Sequence, residues 1–162
     1  MIRNQPQKLK LERTFKASID EVWELWTTKE GIESWWGPDG FTVTVHDIDL
    51  RPGGDVVYAM RASGPDQVDY MKKAGMPLTT HHRLDYTQVA PPGRLAWNAM
   101  VDFVPGLEPY VVETLLELDE DPEGTRLVLT FDAMHDGHWT EMARLGRESE
   151  LGRLEAVLAK RS

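Results

Sequence analysis

The sequence predicts an α+β fold: a strongly bent antiparallel sheet of about six or seven strands, wrapped around one long C-terminal helix, with two short helices after the first strand. Three observations carry this. Segments of alternating apolar and polar residues are separated by short Gly/Pro turns, the mark of hairpins rather than crossovers. A capping box opens a helical pattern directly after the first strand. The last 24 residues before the terminus keep helical spacing without a proline.

In chain order, Lys8–Phe15 alternates, with Leu9, Leu11 and Phe15 on one face and Lys8, Lys10 and Glu12 on the other. Ser18 then stands three residues before Glu21, ahead of Val22, Trp23, Leu25 and Trp26, and this starts a helix that runs to about Thr28. A second short helix ends at Trp35 or Trp36, where Gly37, Pro38 and Gly40 stop it. Residues 41–50 and Asp55–Ala62 form an antiparallel pair across the turn Arg51-Pro-Gly-Gly54, with Arg51 expected to bond a carboxylate such as Asp49. The pattern is lost over residues 63–80, where Val68, Tyr70, Met71 and Ala74 make at most a weak helical turn or two before Gly75 and Pro77. Two hairpins follow: residues 81–89 with 94–103 across Ala90-Pro-Pro-Gly93, then 110–118 with 125–133 across residues 120–124. A helix over residues 137–160 places Trp139, Met142, Leu145, Gly146, Ser149, Leu154 and Val157 near 3.6-residue spacing. It is the element expected to cover the inner face of the sheet.

At 162 residues the chain fits a single domain spanning residues 1–162, and 41% hydrophobic with 28% charged residues is ordinary for a globular protein. No apolar run approaches the roughly 20 residues of a membrane helix, and the first 15 residues hold no signal-like apolar stretch. No membrane insertion is expected, and a cytoplasmic location is the expectation that follows. With no cysteine, the chain has no disulfide, no thiolate chemistry and no thiolate-ligated zinc. A net charge of −9 without a basic run argues against a nucleic-acid partner.

The segments VWELWTTKEGIESWWGP, DIDLRPGG, APPGRLAWN, EGTRLVLTF and WTEMARLGRESELGRLEAVLAK, in that order, resemble bacterial proteins similar to the C-terminal domain of the activator of Hsp90 ATPase. These belong to the START-like, polyketide-cyclase-like (SRPBCC) superfamily, and the resemblance covers nearly the whole chain. It implies the helix-grip fold and a cavity between the curved sheet and the C-terminal helix. Functions on that scaffold range over lipid carriage, cyclisation, hydrolysis and chaperone activation. Two departures stand out: residues 65–80 are longer than usual for this hairpin, and Gln88 stands near the place of a glutamate often found before the Pro-Pro turn.

Trp35 and Trp36 are adjacent, so their rings cannot point the same way. One is expected to anchor the core near Trp23 or Trp26 under Phe41. The other, assigned as Trp36 because the turn begins right after it, is expected at the cavity edge where the resemblance places this pair. Tyr58, Met60, Trp97, Met100, Trp139 and Met142 sit on elements expected to border the same interior, and Tyr70 and Met71 are expected to face it from a lid over residues 63–80. The expected partner is a small hydrophobic molecule; the sequence gives no support for a protein partner, a cofactor or a metal. Of the histidines, His81 and His82 diverge along a strand, and His135 and His138 lie at a turn without metal-binding helical spacing. Asp85, Asp102, Glu113, Arg61 and Tyr86 are the polar residues inside strand patterns, and none has a partner at a diagnostic spacing for catalysis. Ser18 and Ser149 belong to no Ser-His-Asp constellation. Three functions stay open: a ligand-binding module, a cyclase- or hydrolase-like enzyme acting on a carbonyl compound, and a chaperone ATPase regulator.

Overall fold

The structure, a computed structural model, describes residues 6–161. In chain order the elements are β1 (Lys8–Phe15), α1 (Ile19–Thr27), α2 (Lys29–Trp35), β2 (Phe41–Ile48), β3 (Asp55–Ala62), α3 (Pro65–Lys73), β4 (Thr79–Ala90), β5 (Arg94–Val101), β6 (Tyr110–Asp121), β7 (Gly124–Asp132) and α4 (Gly137–Arg161). The strands make one antiparallel sheet in the order β1-β7-β6-β5-β4-β3-β2. From β2 to β7 it is a meander of hairpins, and β1 closes it beside β7. The first two strands made are therefore the two edges. Something has to carry the chain across the sheet between them, and α1 and α2 do so, α1 over β6 and β7 and α2 against β2 and α4.

Alternation decides which residues face inward. Val56 and Tyr58 on β3, Leu84 and Tyr86 on β4, Leu95 and Trp97 on β5, Leu116 and Leu118 on β6, and Leu127, Leu129 and Phe131 on β7 share the concave face. Register shifts between Val45 and Asp47 and between Tyr86 and Gln88 add local bend to the sheet. The helices answer with Val22, Leu25, Trp26, Ile32 and Trp35, all buried in the same core.

Three expectations are corrected. Residues 63–80 hold more than the weak helical turn or two expected, since Pro65 at the first turn starts α3, which runs nine residues before Gly75, with φ +70°, turns the chain where the sequence placed the end. The β6–β7 hairpin is tighter than five residues: Asp121 pairs with Gly124, and the Asp121 carboxylate accepts the Glu123 amide at 2.9 Å. Finally, α4 buries Leu151, Leu154 and Leu158 rather than its N-terminal half, where Met142 and Leu145 are exposed. That half is held by polar links instead. Arg147 donates to Thr114 Oγ1 at 2.9 Å and lies 4.4 Å from the centre of the Phe131 ring, and Ser149 Oγ accepts the Asp39 amide at 3.3 Å. Among the described residues no helix is long and apolar enough to cross a membrane.

Candidate binding pocket

Two helix caps place the aromatic residues. Ser18 Oγ accepts the Glu21 amide at 3.2 Å and starts α1, so Val22, Leu25 and Trp26 fall on one buried face. Thr28 ends α1 and caps α2, its Oγ1 accepting the Gly31 amide at 3.0 Å. Gly31 lets the two helices touch: a Cβ there would stand 2.6 Å from the Glu24 carbonyl oxygen and 2.8 Å from Leu25 Cα. This short connection turns α2 back over α1 and brings Trp35 to Trp26.

The adjacent tryptophans then part. Trp35 is the last residue of α2 and is fully buried; its Nε1–H donates to the Leu25 carbonyl at 2.7 Å and its ring meets Trp26 edge-on at 4.5 Å. Trp36 leaves the helix in an extended conformation (φ −62°, ψ 146°), and Gly37 turns the chain with φ +90°. Its half-buried ring stands 5.8 Å from Trp26, 6.2 Å from Trp97 and 6.3 Å from Tyr58. Helix α4 fixes the loop behind it. Arg153 Nη1 donates to the carbonyls of Gly37, Pro38 and Phe41 at 2.8, 3.0 and 3.1 Å, and Glu150 Oε2 accepts the Gly37 amide at 2.9 Å.

A pocket lies between these rings and the sheet, lined by Trp26, Ile32, Trp36, Val56, Tyr58, Leu84, Tyr86, Leu95 and Trp97. The space between the lining atoms, mouth included, is about 320 Å³, and about 20 Å³ of it is reached by the centre of a water molecule. It is a narrow, ring-walled slot with room for little more than one water. No lining residue is a carboxylate, imidazole or ammonium. Burial pushes both tyrosines up to about 12; the charge of Glu150 adds for Tyr58, where the Trp36 side chain pulls the other way, and the charge of Asp55 adds for Tyr86. Their hydroxyls are neutral at ordinary pH.

Trp36, Tyr58 and Trp97 come together here, with Trp35 packed behind them and Met60 half-buried beside the core. The other sequence-derived candidates do not reach the pocket. Met100, on β5, and Met142, on the uncovered half of α4, are each 47% exposed. Trp139 packs with Phe103 at 5.9 Å and His135 at 5.7 Å beyond the sheet end. On α3 Met71 is buried but does not line the slot, and Tyr70 is 63% exposed, so neither faces the pocket as expected of a lid. The slot also lies between the sheet and α1/α2, and α4 lines none of it. The reason is polar: the stretch of α4 nearest Trp36 carries Arg147, Glu150 and Arg153, which bind backbone and sheet rather than offer an apolar wall.

Sequence reasoning missed Trp26, Ile32, Val56, Leu84 and Leu95 as lining residues, and named Tyr86 only as a polar candidate. The signal was present: Val56/Tyr58, Leu84/Tyr86 and Leu95/Trp97 are three two-residue steps on neighbouring strands, which put six side chains on one face. Of the polar candidates only Tyr86 lines the slot. Asp85 pairs with Arg83, Glu113 with Lys8 and Arg61 with Thr79, and Asp102 is exposed. The two adjacent histidines diverge: His82 stacks on Tyr58 at 5.2 Å and His81 on His46 at 6.0 Å. Arg51 binds the Asp49 carboxylate at 2.9 and 3.0 Å, as its turn suggested.

Comparison with known proteins agrees with this architecture. Solved structures with the same fold include a Chromobacterium violaceum protein (TM-score 0.73, 20% identity, covering 94% of this chain and 97% of that one). An Arthrobacter aurescens protein solved in solution matches with TM-score 0.74 and 21% identity over 94% of this chain and 86% of its own. The AHSA1 protein of Silicibacter pomeroyi matches with TM-score 0.71 and 20% identity over 96% of this chain and 100% of its own. No curated protein matches the sequence significantly. The family model described as Activator of Hsp90 ATPase homolog 1-like protein matches residues 16–159, and with nearly the whole chain inside that match the protein belongs to this family.

Proposed function

We propose that this protein binds a small, uncharged, predominantly apolar molecule in the slot between β3–β5 and α1/α2. The observation that carries the reading is the wall itself: five aromatic and four aliphatic side chains and no charged group. A charged ligand would lose its hydration there without a partner. The two tyrosines, held neutral by burial, are suited to orienting a ligand rather than to removing a proton from it. With water-reachable space of about 20 Å³ the slot as it stands is far smaller than an ordinary ligand site, so binding requires the half-buried Trp36 ring to shift outward.

The test is titration with the neutral dye N-phenyl-1-naphthylamine, read by its own fluorescence and by tryptophan quenching. The folded protein is expected to saturate near one equivalent. Trp97→Ala is expected to change affinity about tenfold or more, whereas Met142→Ala leaves it unchanged. Dye binding that emerges only after acid or urea treatment refutes the proposal.

A further inference from the structure

One residue of the pocket wall carries an unanswered donor, shut off from solvent until the Trp36 ring shifts. Trp26 is 4% exposed and lines the slot, and its Nε1–H is fully buried with no hydrogen-bond acceptor among the described residues. Its neighbour shows what a settled indole looks like here: the Trp35 N–H meets the Leu25 carbonyl at 2.7 Å. Buried donors in folded proteins are nearly always paired, and one left over calls for an explanation. The face of a neighbouring ring is a second-order substitute for an oxygen. A water molecule at this N–H would find few further partners in a wall of rings and aliphatic side chains.

An indole nitrogen can only donate. Whatever settles it therefore brings an acceptor, and the uncharged wall requires that acceptor to be neutral. We propose that Trp26 Nε1–H is the polar recognition point of the pocket, and that the ligand carries a neutral hydrogen-bond acceptor, a carbonyl oxygen or its equivalent, on an otherwise apolar, ring-sized body. The inference rests on the pocket reading above and adds the chemical class of its ligand. Trp26, Trp36 and Trp97 already touch one another, with centroids 5.8, 5.9 and 6.2 Å apart, so the body is ring-sized because it takes the place that the Trp36 ring leaves when it shifts outward.

The experiment compares two molecules of nearly one shape, acetophenone and α-methylstyrene, which differ in C=O against C=CH2. Because water solvates the ketone better, the quantity read is the ratio of the two dissociation constants in wild-type protein divided by the same ratio in Trp26→Phe. That quotient is expected to favour the ketone about tenfold in wild type, the size of one buried hydrogen bond with its unsatisfied alternative. In a ¹⁵N–¹H spectrum of wild-type protein, acetophenone is expected to displace one indole N–H resonance downfield and α-methylstyrene to leave it nearly in place. If both molecules bind and the quotient lies within twofold of one, the Trp26 proposal is overturned while the pocket reading stands. If neither binds, both fall. Should Trp26→Phe not fold, the wild-type spectrum decides, and the absence of a ketone-specific indole shift overturns the proposal.

Discussion

Replacing Trp35 tests the division of labour between the adjacent tryptophans. The residue is fully buried and packs against Trp26 at 4.5 Å and Trp36 at 5.1 Å. Its Nε1–H also satisfies the Leu25 carbonyl, in the last turn of α1 where helical acceptors lack a following amide. Trp35→Ala loses the transfer energy of the ring and leaves a cavity, together about 3–5 kcal/mol. In a chain of this length each kcal/mol lowers Tm by about 2–4 °C, so the midpoint should fall by about 6–20 °C. Trp35→Phe keeps much of the ring but strands the carbonyl, a loss of about 1–3 kcal/mol. Trp36 keeps part of its surface in solvent and lines the slot, so Trp36→Ala should destabilise by less than about 2 kcal/mol. Urea denaturation with constant m-values, alongside dye titration, measures all three variants. The reasoning fails if Trp36→Ala destabilises as much as Trp35→Ala, or if Trp35→Phe unfolds within about 0.5 kcal/mol of wild type.

Gly31→Ala should force α1 and α2 apart, because the new methyl meets backbone atoms at 2.6 and 2.8 Å; a loss of about 1–3 kcal/mol in urea denaturation is expected. Arg153→Met removes the donor shared by the Gly37, Pro38 and Phe41 carbonyls, and amide exchange of Gly37 should quicken while the far strands β6 and β7 keep their protection. Burial, with the charge of His81 adding, holds His82 below the usual histidine range, so the unfolded chain takes up that proton first. The stability this residue contributes is therefore complete above the unfolded value of 6.5 and declines as pH falls below it until the folded pKa is passed; in stability–pH profiles, His82→Gln should flatten that decline. Lys8→Met leaves the 2%-exposed Asp132 carboxylate with the Glu113 amide but without its ammonium partner, and a loss of about 1–3 kcal/mol at neutral pH is expected by thermal melting.

Local chemistry alone determined most elements of this protein, the extent of α3 excepted. Ser18 with Glu21, the alternation of Lys8–Phe15 and the Gly/Pro turns act within a few residues, so helix starts, strand faces and hairpins could be read directly from the order of side chains. The divergence of Trp35 and Trp36, and of His81 and His82, followed from backbone periodicity in the same way. Which face of α4 is buried did not follow. Met142 and Leu145 keep helical spacing as well as Leu151, Leu154 and Leu158 do, and only the docking of residues 36–41 onto Arg153 and Glu150 sets how far along α4 the core extends. The pocket lay further from view, since its nine residues come from five elements and the loop after α2, and meet only once the sheet has bent and the Gly31 contact has folded α2 onto α1. The missing partner of Trp26 Nε1 is of the same kind: an indole's side-chain type says that it needs an acceptor, and only the packed interior shows that none of the described residues supplies one.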